Sequence, residues 1–410
     1  MTRASLVIVG ASLAGAKAAE AARDAGHDGR IVLVGDEPSL PYERPPLSKA
    51  VLRGEAESES TLVHDGAFYD ARDIELVVAE VVELDPVGRQ VELGDGGRID
   101  FDTAVLATGA APRRLDVPGA DLDGVHYLRT AQDSVRLREA IMAATRVAIV
   151  GAGWIGSEVA ASARQMGADV VLVDPAPVPL QRVVGTEVGE LFRRLHADHG
   201  VDLRLGTGVD SLRGDNRVAE VVLSDGTREA ADVVVVGVGV TPRVGLAEAA
   251  AGIRVDNGVV VDEHLETTVP GIFAAGDVAN AWHPHLRRHL RVEHWANALN
   301  QGTAAGRNAA GRREVYDRLP YFFSDQYDLG LEYVGHGAPD DAVVFRGDPD
   351  ALEVIVFWHR DGVLTAAMNV NVWDVVDDLK QLVASNRRVD LGRLADLEVP
   401  LSAVVGATAA

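Results

Sequence analysis

The chain carries one kind of strand–glycine–helix junction twice. Ser5-Leu-Val-Ile-Val-Gly10-Ala-Ser12-Leu13-Ala14-Gly15 and Arg146-Val-Ala-Ile-Val-Gly151-Ala-Gly153-Trp154-Ile155-Gly156 lie 141 residues apart, counted from Gly10 to Gly151. In each, a short apolar run passes through small residues into a helix, so the backbone can approach a pyrophosphate at the helix N-terminus. A second apolar run follows at both places and ends near an acid, Asp36 or Asp174, placed to accept from ribose hydroxyls. Such alternation predicts an α/β protein with parallel sheets and right-handed crossovers, built on two Rossmann-like dinucleotide-binding domains. The first junction has Ser12 where the middle glycine belongs; the second is complete. No arginine follows Asp174 directly, and a carboxylate there repels a 2′-phosphate, so NADH is expected over NADPH.

A chain of 410 residues has room for two or three domains. Its apolar runs, such as Val233–Val236, are strand-length and far below the ~20 residues of a membrane helix. The run Leu6–Val9 enters glycines and a helix, as a first strand does and a signal peptide does not. A soluble cytoplasmic protein is expected. The count of zero cysteines excludes disulfides, iron–sulfur ligation and a redox dithiol. Electrons moving through this chain need an organic cofactor.

The net charge of −23 argues against nucleic-acid binding. One stretch departs from it: Arg287, Arg288, Arg291, Arg307, Arg312 and Arg313 face only Glu293 and Glu314, a local balance of +4. His283, His285, His289 and His294 lie among them at a spacing that matches no zinc pattern, so a solvated loop and no metal are expected. Polar meanders at 81–98 and 209–228 each hold an Asp-Gly turn and precede a buried-type strand, which makes the two halves look like duplicates. From Tyr321 the texture changes. Aromatics cluster, a hairpin turns at Arg360-Asp-Gly362, and a helix follows Asp374, as in a small α+β domain.

Further motifs carry a resemblance. Tyr42-Glu-Arg44-Pro-Pro-Leu-Ser-Lys49, Ala107-Thr108-Gly109, Gly151-Ala-Gly-Trp-Ile-Gly-Ser-Glu158, Thr267-Thr-Val-Pro-Gly-Ile-Phe-Ala-Ala-Gly276-Asp277 and Phe323-Ser-Asp-Gln-Tyr327 span the chain. Together they closely resemble the FAD-dependent ferredoxin reductases of bacterial oxygenase systems, which have the glutathione reductase-type fold. The resemblance implies a discontinuous FAD domain (1–110 and 242–319), an NAD domain (111–241) and a C-terminal interface domain (320–410). It implies that Gly10, Ser12, Leu13, Ala14 and Gly15 face the FAD pyrophosphate and that Asp36 holds the adenosine ribose. It places Arg44, Val82, Ala107, Thr108, Gly109, Arg129, Gly276, Asp277, Glu293, His294 and Trp295 around FAD, the last opening a helix aimed at the flavin. Gly151, Gly153, Trp154, Ile155, Gly156, Asp174 and Gly239 fall to NAD, with Trp154 either flanking the nicotinamide or simply packing. Lys49 and Glu158 would pair beside the flavin as the catalytic residues. The partner implied is a [2Fe–2S] ferredoxin, an acidic one-electron carrier, with the arginine-rich stretch as its docking face. A redox-sensing flavoprotein like apoptosis-inducing factor, a monodehydroascorbate-type reductase and an oxygen-reducing NADH oxidase are the rival readings.

Overall fold

The computed structural model describes residues 4–404. The chain forms two compact units: one of residues up to Glu43, Glu59–Ala111 and Val240–Pro320, the other of Arg44–Ser58, Pro112–Gly239 and residues from Tyr321 on.

In the first unit, five parallel strands run in the order Ile272–Ala274, Thr103–Leu106, Leu6–Val9, Ile31–Gly35, Ile74–Val78. The central strands are buried on both faces, which is why they read as unbroken Val/Ile/Leu runs instead of alternating ones. Helix Leu13–Asp24 returns over this sheet and packs on helix Trp295–Ala309. A Cβ on Gly302 would lie 2.3 Å from the Ala14 carbonyl oxygen, so glycine is what lets the two backbones touch. The meander at 81–98 is the three-stranded antiparallel sheet Val81–Asp85, Gln90–Leu93, Arg98–Asp100. The histidine stretch is not a solvated loop. Ala279–His283 and Arg288–Leu290 pair as an antiparallel hairpin, and His283 is buried. Its Nε2 lies 3.0 Å from the Arg318 carbonyl and its Nδ1 accepts from Leu286 N–H, so the ring staples the hairpin turn.

The second unit repeats the parallel sheet, in the order Asp202–Leu205, Asp169–Asp174, Arg146–Val150, Val233–Val236, Val125–Tyr127. It also contains the C-terminal module, an antiparallel sheet ordered Tyr321–Gln326, Leu329–Gly335, Val363–Val370, Glu353–Arg360, Ala342–Asp348, with helix Val376–Ala384. This module does not stand apart. Val184, Val188, Phe192 and Leu195 of helix Gln181–Asp198 share one apolar cluster with Phe322, Tyr333, Trp358 and Met368. That helix breaks at Gly185 (φ 80°), and the Trp358 indole N–H donates to the Val184 carbonyl at the break. Buried Arg346 donates its guanidinium to the carbonyls of Leu394, Asp396, Leu397 and Val399, anchoring the segment that follows helix Leu391–Ala395.

Residues 44–58 belong to the second unit, although sequence continuity puts them with the first. The reason is local. Ser134 Oγ donates to the Leu47 carbonyl and Ser162 Oγ to the Ser48 carbonyl, each at 2.7 Å, while Leu52 is buried among Leu137, Ile141 and Val159.

His196 makes the contact between helix Gln181–Asp198 and the C-terminal sheet sensitive to acid. Its ring is fully buried, 3.3 Å from Tyr327 Oη, and Tyr327 stacks on His199. Burial pushes the imidazole down to about 4, so it is neutral in the folded chain at pH 7. A histidine in the unfolded chain takes its proton near pH 6.5. Stability therefore declines as pH falls through 6.5 and levels off only below about 4, a loss of about 3 kcal/mol from this ring. Burial lowers His27, His126 and His283 as well, and they add to the decline in the same direction. Urea unfolding at pH 7 and pH 4.5 is expected to show this loss, and His196→Gln to reduce it; equal losses in both proteins would refute the assignment.

Candidate dinucleotide sites and the buried ion pair

Both junctions are shaped by sterics. Gly10 has φ +115°, and a Cβ on it would sit 2.1 Å from the Ala107 carbonyl oxygen; one on Gly15 would sit 1.9 Å from the Gly10 carbonyl. Gly151 (φ +103°) and Gly156 meet the same obstacles at 2.5 Å and 1.9 Å. The middle position differs: nothing lies within 4 Å of a Cβ on Gly153. That open space is where a ligand would approach.

The helices behind these turns begin bare. Leu13–Asp24, Trp154–Gln165 and Trp295–Ala309 have no side-chain N-cap hydrogen bond and no acid in the first turn. Helix Ala131–Ala143, away from the junctions, has a full capping box of Thr130 and Asp133. An uncapped, acid-free N-terminus keeps its N–H groups and positive dipole end available for an anion.

In the first unit, Leu13 and Ala14 are buried in the opening turn of the fingerprint helix. Ala107, Thr108 and Gly109 follow the strand that crowds Gly10, and Thr108 Oγ donates to the Arg243 carbonyl at 2.8 Å. Gly276 (φ +78°) donates to Gln301 Oε1, and its absent Cβ would lie 3.1 Å from Ala14 Cβ. Asp277 thus lies at the same carboxyl end of the parallel strands as the first junction, and the helix with His294 as N-cap and Trp295 as its first residue packs on both. Asp36 follows strand Ile31–Gly35, with Arg243 Nη1 at 3.1 Å from its carboxylate. A cleft of about 250 Å³ opens beside Ala11, Gly35, Glu37, Leu40, Leu76 and Val78. It suits a flat aromatic base, and the sequence reading did not foresee it. Val82 does not line it. Strand Val81–Asp85 is irregular between Val81 and Glu83, which leaves Val81 in the core and Val82 half-exposed, and Val78 supplies the cleft wall.

Two expectations about the arginines and their neighbours change. Arg291 is not a docking residue: its side chain is 9% exposed, donates to the Asp277 carbonyl and pairs with Glu293 at 2.5 Å. Glu293 is thus tied to a buried arginine beside Asp277. Arg287 and Arg288 are exposed at the hairpin turn; Arg307, Arg312 and Arg313 are exposed at the far end of the helix that begins at Trp295. The first pair lies on the hairpin and the others on or just after the helix.

In the second unit, Asp174 accepts from the backbone N–H groups of Ala152 and Ala176, both at 2.7 Å. It braces the glycine turn and retains acceptor capacity for a hydroxyl. Gly239 (φ +103°) accepts from Arg113 N–H at 3.0 Å. Ile155 is half-exposed beside the open turn. Trp154 packs: its ring meets Phe322 at 4.6 Å and Phe192 at 5.9 Å, which favours the packing alternative. Arg44 donates to the Arg129 carbonyl, which joins those two expected FAD contacts inside this unit.

Lys49 and Glu158 come together here. Their side chains are 10% and 5% exposed, and Nζ lies 2.7 Å from Oε2. Ser48 Oγ donates to the same oxygen at 2.5 Å and Ser324 Oγ donates to Oε1 at 2.7 Å. A carboxylate with three donors is an ion holder and is poorly suited to act as a base. Neither serine was marked as a site residue, although both lie inside the motifs that carried the resemblance.

Comparison with known proteins agrees with this construction. Residues 4–302 match the pyridine nucleotide-disulphide oxidoreductase family model, and residues 321–405 match a reductase C-terminal model. The chain belongs to the pyridine nucleotide-disulphide oxidoreductase family. It is 40% identical over 369 residues to rhodocoxin reductase of Rhodococcus erythropolis, covering 90% of this chain and 86% of that one. It is 39% identical over 406 residues to the ferredoxin–NAD(+) reductase component of the anthranilate 1,2-dioxygenase system of Burkholderia cepacia, covering 98% and 99%. The covalent putidaredoxin reductase–putidaredoxin complex is a structural match at TM-score 0.95 and 36% identity, covering 99% of both chains. The family takes its name partly from a disulphide, yet this member has no cysteine to form one.

Proposed function

We propose that the chain is a cytoplasmic, FAD-containing, NADH-dependent ferredoxin reductase. It takes electrons in pairs from NADH and hands them singly to a [2Fe–2S] ferredoxin that serves a P450 or ring-hydroxylating oxygenase. One observation carries the reading: two bare, glycine-shaped dinucleotide cradles in a chain without a single cysteine. Relatives named for ferredoxin reduction support the choice of partner. Among the described residues, no helix is long and apolar enough to cross a membrane.

Bound FAD would supply the conversion between paired and single electrons. The protein's share is binding, orientation and charge. Gly10, Ser12, Leu13, Ala14 and Gly15 hold the FAD pyrophosphate, and Asp36 the adenosine ribose. The cleft walled by Leu40 and Val78 takes the adenine. Arg44, Arg129, Asp277 and the bare N-terminus of the helix that opens at Trp295 would supply further FAD contacts. Gly151–Gly156 and Asp174 take NADH, and the Asp174 carboxylate disfavours a 2′-phosphate. Lys49, held by Glu158, would steady the charge that develops on a bound flavin.

Arg287 and Arg288 are the exposed cations that an acidic ferredoxin meets in the first unit. Reversing both to Glu is expected to cut ferredoxin turnover about tenfold at low salt and to flatten its salt dependence. NADH oxidation with an uncharged artificial acceptor should stay unchanged. Assaying NADH-driven reduction of a panel of iron–sulfur proteins tests the whole reading, which fails if no [2Fe–2S] ferredoxin is reduced.

A further inference from the structure

Glu158 is held by hydroxyls from two segments far apart in sequence. It is nearly fully buried, and so are Ser48 and Ser324. Two charged groups act on it from neighbouring elements: Lys49 from the segment 44–58, and Asp325, next to Ser324 on strand Tyr321–Gln326, with Arg53 of the same segment as Lys49 acting on Asp325. Loss of solvation holds the Asp325 carboxyl above its usual range, and the Glu158 charge pushes in the same direction against Lys49 and Arg53. Two carboxylates in one half-dry place favour a proton on one of them. Glu158 Oε2 receives Ser48 Oγ and Lys49 Nζ, and its Oε1 receives Ser324 Oγ. The carboxylate oxygen that Ser48 bonds is the same one that holds Lys49 Nζ.

We propose that Ser324, with Ser48 opposite it, is a positioning residue that keeps Glu158 ionised and, through Glu158, keeps Lys49 charged and in place. The serine touches no reacting atom. Its hydroxyl comes from the C-terminal sheet, 166 residues from Glu158 in sequence, so the strand that carries Phe323 and Asp325 is tied directly to the ion pair. The importance of that tie for flavin reduction rests on the function proposed above.

Infrared titration of the FAD-loaded protein without NADH tests the proposal, with the Glu158 carboxyl band identified by its loss in Glu158→Gln. A hydroxyl bonded to a charged oxygen is lost in Ser324→Ala, so the pH midpoint of Glu158 protonation is expected to rise by about one unit or more. Ser324→Thr keeps the hydroxyl and should keep the parent midpoint. Ser48→Ala should shift it in the same direction, which covers the case of a poorly folded Ser324→Ala. Unchanged midpoints in both alanine variants would overturn the proposal, as would a threonine variant shifted as far as the alanine one. The acid limb of NADH-driven reduction should move with the midpoint. A shifted midpoint with an unmoved limb leaves the serine role standing and removes Lys49 from the flavin.

Discussion

Lys49→Met is expected to slow flavin reduction by NADH about a hundredfold while leaving FAD bound in stoichiometric amount. The magnitude is that of removing one fixed charge from a preorganised site. The same change strips one of the three donors from buried Glu158 and leaves a charge with only hydroxyls for company. Breaking a buried pair on one side costs about 3 kcal/mol, so a lower unfolding midpoint should accompany the slower rate. The two effects separate in the double variant Lys49→Met/Glu158→Leu, which removes both charges. It should regain most of the stability and none of the rate. Stopped-flow reduction and urea unfolding on the three proteins check this. A single variant that reduces at the parent rate would remove Lys49 from the mechanism.

The second large effect contrasts two glycines of similar sequence context. Gly10→Ala places a Cβ 2.1 Å from the Ala107 carbonyl at a φ of +115°. Backbone on both sides must move, so this variant is expected to lose more than about 3 kcal/mol and to be recovered without FAD or not at all. Gly153→Ala places its Cβ in open space at an ordinary φ. It should fold, keep FAD and be reduced by NADH with a KM raised about tenfold and a smaller change in kcat, because the methyl occupies the approach of the pyrophosphate. If Gly153→Ala left the KM for NADH unmoved, the second junction would not be the NADH site.

What could be read from the residues alone follows the range of the forces involved. Gly10, Gly15, Gly151 and Gly156 are dictated by contacts within a few residues or with the adjacent strand, and their spacing was legible for that reason. The parallel strands announced themselves as unbroken apolar runs because both faces are covered. The Lys49–Glu158 pair was reached through the resemblance, since no local pattern joins residues 109 apart. Ser48 and Ser324 escaped notice because a serine hydroxyl leaves no periodicity. The assignment of 44–58 was missed on similar grounds: two serine hydroxyls and Leu52 decide it, and all three act across long sequence separations. The arginine count between His283 and Glu314 misled in a different way. Charge totals carry no information on burial, and Arg291 points inward to Asp277 and Glu293.

Mixing the FAD-loaded protein anaerobically with one equivalent of NADH and an excess of an oxidised [2Fe–2S] ferredoxin, and counting reduced clusters, tests the central claim most directly. Two ferredoxin molecules reduced per NADH consumed, with the flavin returned to its oxidised form, is the expected result. A protein that is reduced slowly, stays reduced and transfers nothing to any ferredoxin would be a sensor of NADH, and the electron-splitting account would be wrong.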